Sequence, residues 1–188
     1  MIIQKLEIDG SWIASSPEVS DSRGSFREWF KASDFELATG RKFQVLQSNI
    51  SISQCGAIRG IHYSLSPQGQ GKWITCITGS IWDVIVDIRP SSPTFKKWIP
   101  ILLSENSGTS VFISEGLGHG FLALEDNSAV SYLLTTEYSP NEEFGINPFD
   151  SELQISWPTS LPLLSRKDSE AKSLHTLMLE EKLPNLIL

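Results

Sequence analysis

Cysteine, methionine and histidine are scarce in this chain: two, two and three residues among 188. Two cysteines cannot build a disulfide framework, and Cys55 and Cys76 form neither a Cys-x-x-Cys pair nor a zinc pattern. They are expected to be reduced, buried thiols. Cations are in deficit too, with 15 Lys and Arg against 22 Asp and Glu, for a formal charge of -7. That balance argues against global attraction to nucleic acid or an anionic membrane, and an anionic small molecule would need a local cluster of Arg and Lys. No window approaches the roughly 20 apolar residues of a membrane span. Met1 to Lys5 lacks the charged-then-apolar build of a signal peptide, so a cytoplasmic location is expected.

What is present is ordinary globular composition, 40% hydrophobic and 20% charged, in a length that suits one domain with a substantial core. Six Trp and nine Phe imply either a well-filled β core or a site that stacks rings. Residues 1 to 20 alternate around Asp9-Gly10 as an early hairpin, Ser25 to Phe30 has the mix of a strand, and residues 32 to 39 suit a short helix or turn. Between Phe43 and Ser53, Leu46, Ile50 and Ile52 share one face while Gln47, Asn49, Ser51 and Ser53 share the other. A solvated polar face is the commoner outcome for such a strand; an amide-rich wall inside a barrel is the more specific one.

Short apolar runs follow at Lys72–Thr78, Ile81–Ile88, Lys97–Leu103, Ser110–Ile113, Gly120–Leu124 and Ala129–Thr136, punctuated by Gly, Pro and Asn. This pattern predicts an all-β antiparallel sandwich or barrel. Ser165 to Lys182 then carries Ala171, Leu174, Leu177 and Met178 at helical spacing, which predicts a C-terminal helix. No linker divides the chain, so residues 1–188 read as one domain with a helical tail from about 165 to 188.

Polar groups stand out against this apolar background. His62 lies in Arg59-Gly60-Ile61-His62-Tyr63, Lys72 follows a glycine-rich turn, His119 is flanked by Gly118 and Gly120, and Tyr132 sits within Val130 to Leu134. A neutral imidazole beside a fixed cation suits proton abstraction next to a carbonyl, because the cation holds the enolate. Each residue also has a plainer role: a hydrogen-bonded strand histidine, a solvated lysine, a core tyrosine. Asp168 reads either as the N-cap of the last helix or as the partner of a catalytic imidazole. Strict alternation sets Arg59 and His62 on opposite faces, so both can line one pocket only if the strand bulges, plausibly at Gly60. No metal is expected, since a His-x-His motif would need a histidine where Ser64 stands, and a third imidazole would have to come from distant His175.

The chain resembles the dTDP-4-dehydrorhamnose 3,5-epimerase family, the nucleotide-deoxysugar epimerases of dTDP-rhamnose and O-antigen biosynthesis. The likeness runs in order from about residue 3 to about residue 170. It is carried by Asp21 to Glu28, Gln47 to Ser53, Arg59 to Tyr63, Gln70 to Lys72, Gly79 to Arg89, Gly118 to Phe121, Tyr132, Tyr138 to Pro140, Trp157-Pro158 and Lys167-Asp168.

The resemblance implies a double-stranded β-helix, the cupin-type jelly roll, forming a homodimer with sites shared across subunits and needing no cofactor or metal. It implies a nucleoside-diphospho-4-keto-6-deoxyhexose as substrate, most simply dTDP-4-dehydro-6-deoxyglucose, inverted at C3, C5 or both. By similarity His62 is the base, Asp168 its partner, Lys72 the enolate stabiliser and Tyr132 the acid on the opposite face. Arg23, Phe26, Glu28, Gln47, Asn49, Arg59, His119, Tyr138, Glu143 and Lys167 would hold sugar, diphosphate and base. The rivals are a 3,4-ketoisomerase on a similar fold, a catalytically silent sugar-nucleotide binder, and a metal-dependent cupin oxygenase.

Overall fold

The computed structural model describes residues 1–67 and 69–185. Gln68, in the turn expected before Lys72, and residues 186–188 of the expected tail lie outside the described residues. Strands β1 (Ile2–Lys5) and β2 (Ser11–Ser15) form the expected hairpin around Asp9-Gly10. A smaller hairpin, β3 (Val19–Asp21) and β4 (Gly24–Phe26), carries only exposed residues. Helix α1 (Ala32–Thr39) follows and closes on Gly40 in the left-handed region.

The main strands are β5 (Gln47–Ser53), β6 (Ile58–Ser64), β7 (Lys72–Thr78), β8 (Ser80–Asp87), β9 (Trp98–Ser104), β10 (Thr109–Ile113), β11 (Leu117–Ala123) and β12 (Ser128–Leu134). A short β13 (Glu143–Gly145) and helices α2 (Arg166–Ser169) and α3 (Leu174–Leu179) complete the described elements. One sheet runs β1-β2-β10-β7-β12-β5 and the other β13-β6-β11-β8-β9, antiparallel throughout. Within β5 to β12 the two sheets share the strands as β10-β7-β12-β5 and β6-β11-β8-β9, the winding of a jelly roll.

Period-two alternation divides the apolar residues into three clusters. Ile74, Cys76, Val111 and Val130 of one sheet meet Ile81, Ile85, Leu103 and Phe121 of the other in the interior. Trp73 and Phe112 point outward and pack with Phe35 of α1 and with Phe43. On the far side Ile58, Ile61, Tyr63, Val84 and Val86 are covered by the C-terminal segment through Trp157, Leu174 and Leu177. Burying each such side chain stabilises the fold by about 1.5–3 kcal/mol.

Four sequence expectations change. The expected strand from Ser25 stops at Phe26, because the chain turns aside for the Trp29 carbonyl to accept from Trp73 Nε1 at 2.9 Å. Phe43 to Leu46 precede β5, with Phe43 drawn into the aromatic cluster under α1. The C-terminal helix is two short ones. Ser165 and Ser173 each cap a new start, and Lys172 between them makes a parallel bridge to Ile146. Cys76 is buried but Cys55 is exposed, since it sits in the turn after β5 with its Sγ 3.2 Å from the Leu124 carbonyl.

Candidate active site

The same alternation that fills the interior with isoleucine and valine turns polar at one end. From the six-stranded sheet, Lys72 of β7, Tyr132 of β12, and Gln47, Asn49 and Ser51 of β5 face inward. From the other sheet come Arg59 and His62 of β6, His119 of β11 and Glu143 of β13. Together they line a cavity of about 630 Å³. On β5 it is the amide-rich face that turns in, while Ile50 and Ile52 are 66% and 64% exposed. The solvated-face expectation is therefore reversed for this strand.

The β6 bulge resolves the conflict between Arg59 and His62. His62 pairs with His119 but Arg59 pairs with Phe121, so three steps on β6 match two on β11. Gly60 makes this possible. Its φ is +128°, and a Cβ there would lie 2.5 Å from Gly120 Cα. Arg59 is then anchored by Nε to Ser53 Oγ at 3.0 Å and by Nη2 to the Ile52 carbonyl at 3.2 Å.

His62 Nε2 lies 2.6 Å from Asp168 Oδ1. Asp168 is buried but is not the N-cap of its helix: Ser165 is, and its hydroxyl also donates to Asp168 Oδ2 at 2.9 Å. Burial alone would raise the Asp168 pKa, but the hydrogen bond and charge of His62, the Ser165 hydrogen bond and the charge of Lys167 outweigh it and hold the carboxyl below its usual value. An ionised carboxylate only accepts, so Nε2 of His62 carries the proton and Nδ1 is left as the basic nitrogen. A second pair stands beside the first, with His119 Nε2 2.6 Å from Asp83 Oδ2.

Lys72 is buried, which pushes its pKa below the usual lysine value, while Glu143 and Asp83 pull it back. Tyr132 is pushed well above the usual phenol range by burial, despite its 3.2 Å contact with Ser51 Oγ. It therefore holds its proton at neutral pH. Gln47 Nε2 donates to Asn49 Oδ1 at 2.8 Å, and its Oε1 accepts from the Tyr138 amide at 2.7 Å, which fixes the β5 wall.

Of the residues singled out from the sequence, His62, Lys72, Tyr132, Gln47, Asn49, Arg59, His119, Tyr138, Glu143 and Lys167 line this cavity, and Asp168 stands behind His62. Arg23, Phe26 and Glu28 do not. They lie on or just after the exposed β3–β4 hairpin, where, among the described residues, Arg23 pairs only with Asp21. Site residues with no role assigned from sequence include Asp83 and Ser51. Asp83 carried a signal, a carboxylate on the same face as Ile81 and Ile85; Ser51 lay on the amide face already noted. His175 is exposed beside Glu152, away from the cavity. Among the described residues no group of three or more His, Cys, Asp or Glu is placed to hold a metal ion, and no helix is long and apolar enough to cross a membrane.

The family model described as dTDP-4-dehydrorhamnose 3,5-epimerase matches residues 5–176. The chain belongs to the dTDP-4-dehydrorhamnose 3,5-epimerase family. It is thereby an enzyme of the isomerase class. The dTDP-4-dehydrorhamnose 3,5-epimerase of Mycobacterium tuberculosis is 40% identical over 187 residues, covering 98% of this chain and 93% of that one. The crystal structure of a Legionella pneumophila dTDP-6-deoxy-D-glucose-3,5-epimerase, in complex with dTDP-4-keto-L-rhamnose, superposes with a TM-score of 0.93 at 38% identity, over 100% of this chain and 99% of that one. A 3'-monoepimerase from Streptomyces bikiniensis, in complex with dTDP-quinovose, gives 0.92 at 40%, over 96% and 91%. The relatives thus include proteins named for inversion at one carbon and at two.

Proposed function

We propose that this protein is a cofactor-independent epimerase that inverts C3, C5 or both in a nucleoside-diphospho-4-keto-6-deoxyhexose, with dTDP-4-dehydro-6-deoxyglucose as the substrate. The observation that carries this reading is the placement of His62 and Tyr132 on opposite sheets, as facing walls of one cavity. Inversion requires a proton to leave one face of a carbanion and return on the other. A base and an acid on opposing walls meet that requirement.

The C4 ketone acidifies the neighbouring C–H bonds. His62 Nδ1 removes the proton, and the ionised Asp168 steadies the imidazolium through Nε2–H. The negative charge passes to the C4 oxygen, where the Lys72 ammonium stabilises it in a buried setting. Tyr132, still protonated, gives its proton to the opposite face. Arg59 and Lys167 at the cavity supply cations for the diphosphate in a protein that is otherwise acidic. The exposed Arg23, Phe26 and Glu28 act in the site of a second subunit of a homodimer.

Proton NMR in D2O with dTDP-4-keto-6-deoxyglucose tests the reading, with wild type beside His62→Ala. The expected result is deuterium at C3, C5 or both, lost in the variant. No exchange in the wild type, with this substrate or its CDP analogue, sinks the epimerase and leaves a silent binder.

A further inference from the structure

We propose that Asp83 is a positioning residue of this site, orienting His119 and setting a buried negative charge on the sheet that faces Lys72. The inference rests on the epimerase reading above. Asp83 lies on the inner face of β8 and is wholly buried. Its Oδ2 takes the His119 contact, while Oδ1 has no hydrogen-bond partner among the described residues. Leaving a buried oxygen unpaired costs about 1–3 kcal/mol.

Two consequences follow from the geometry. An ionised Asp83 can only accept, so Nε2 of His119 must carry a proton. That leaves Nδ1, which has no partner among the described residues, as the nitrogen open to a ligand in the cavity. The second consequence concerns charge. Lys72 is buried on β7, in the opposite sheet, and makes no ion pair among the described residues. A buried carboxylate with one free oxygen and a buried ammonium on the facing sheet favour each other's charged forms. A ketone oxygen that becomes an enolate beside Lys72 then meets an ammonium whose charge Asp83 favours.

Other titratable or charged groups around Lys72 are Glu143 on β13, His119 on β11, Tyr132 on β12, Arg59 and His62 on β6, and Lys167 on α2. Glu115, beside Gly71, is already paired with Arg41. Glu143 and Asp83 are the carboxylates that favour the Lys72 ammonium, so removing one leaves the other.

The test compares full-length wild type with Asp83→Asn, a change of charge at nearly constant shape. The expected result is a fall in kcat of about 10²-fold with KM nearly unchanged, because the lost interaction matters only as the enolate forms. The alkaline limb of kcat/KM should move to lower pH, since Lys72 loses a charge that favours its ammonium. A parallel loss of thermal stability with an unmoved limb would mean a structural role and would overturn the proposal, as would an unchanged kcat. Deuterium exchange in the wild type separates this failure from that of the reaction itself: no exchange removes both readings, while exchange with an indifferent Asp83→Asn removes only this one. Should the variant not fold, two-dimensional 1H–15N spectra of the wild type, which has three histidines, report the His119 tautomer directly. A proton on Nε2 is expected, and a neutral ring with its proton on Nδ1 overturns the proposal.

Discussion

His62 and His119 are cross-strand partners on β6 and β11, and a carboxylate holds each ring at Nε2 at 2.6 Å. The two carboxylates come from different places. Asp83 belongs to the neighbouring strand of the same sheet, whereas Asp168 arrives from α2 at the far end of the chain. The His62 side chain is 34% exposed and that of His119 only 6%. One ring is thus open to exchange protons with solvent while the other is fixed in the wall. That difference suits a base beside a stationary binding group.

Asp168→Asn should lower kcat by about 10²- to 10⁴-fold, because an amide can hold the wrong His62 tautomer and cannot balance an imidazolium. The loss should be felt throughout the neutral range, where the wild-type carboxylate is ionised. The Asp168 pKa is lowered in the folded protein, so its charge and the stability it adds are complete above the ordinary carboxylate value of 3.8 and disappear only as pH falls through the lowered one. Between about pH 5 and 8 the group does not titrate. A variant with unchanged kcat argues against the assignment.

Ser51→Ala removes the hydroxyl 3.2 Å from Tyr132. One neutral hydrogen bond is worth about 0.5–1.5 kcal/mol, so kcat should fall by about 2- to 10-fold. Because this contact aims the tyrosine, the ratio of C3 to C5 deuteration should change along with the rate. NMR time courses read both. A variant with unchanged rate and ratio removes Ser51 from the mechanism.

Much of the architecture could be read in the chain because the interior obeys alternation: Ile74 and Cys76 against Trp73, Ile81 and Ile85 against Val84 and Val86. The orientation of β5 could not. Hydrophobicity argues for Ile50 and Ile52 inside, but this strand walls a polar cavity, and Gln47, Asn49 and Ser51 turn in instead. The β6 bulge was visible as a conflict between Arg59 and His62, with Gly60 between them. The pairing of Asp168 with His62 spans 106 residues, and no local pattern encodes a contact of that range. β13 is three residues long and too short to show periodicity.

Gly60→Ala should disable the protein through the site as much as the fold. A side chain at φ +128° costs about 1–3 kcal/mol in backbone conformation. The clash with Gly120 Cα adds a similar amount, about 1–3 kcal/mol. Relief requires the bulge to straighten, which would turn Arg59 or His62 out of the cavity. Activity should therefore fall well before urea unfolds the protein, and a folded, fully active Gly60→Ala would contradict the bulge as a requirement.

Asp87 anchors the turn after β8, taking Arg89 Nε and Nη2 at 2.8 Å each, Ser92 Oγ at 2.5 Å and Thr94 Oγ1 at 2.6 Å. Asp87→Ala strands a buried guanidinium, so a loss of about 3–5 kcal/mol is expected in urea denaturation. Ser92→Ala removes one hydrogen bond and should cost about 1 kcal/mol. Burial would raise the Asp87 pKa, but these donors lower it overall. Its contribution is therefore intact at neutral pH and lost as pH falls through the lowered value. Equal losses for the two variants would show that the ion pair adds nothing beyond a single hydrogen bond.

The proposed homodimer has its own test, and its motive is on the surface. β5 ends the six-stranded sheet, and its outer face presents Ile50 and Ile52 to solvent, with Leu46 half exposed just before it. Phe26 is 70% exposed on the β3–β4 hairpin, and the Arg23 side chain is 88% exposed. An apolar edge strand left open invites pairing or aggregation, so a partner covering it is the economical solution. Ile50→Glu with Ile52→Glu should shift sedimentation from dimer to monomer and lower activity. Mixing Arg23→Ala with His62→Ala then asks whether sites are shared. If each site takes His62 from one subunit and Arg23 from the other, half of the mixed dimers' sites are intact, and about a quarter of wild-type activity should return after random exchange. If each site draws both residues from one chain, every site in the mixture carries a defect and nothing returns.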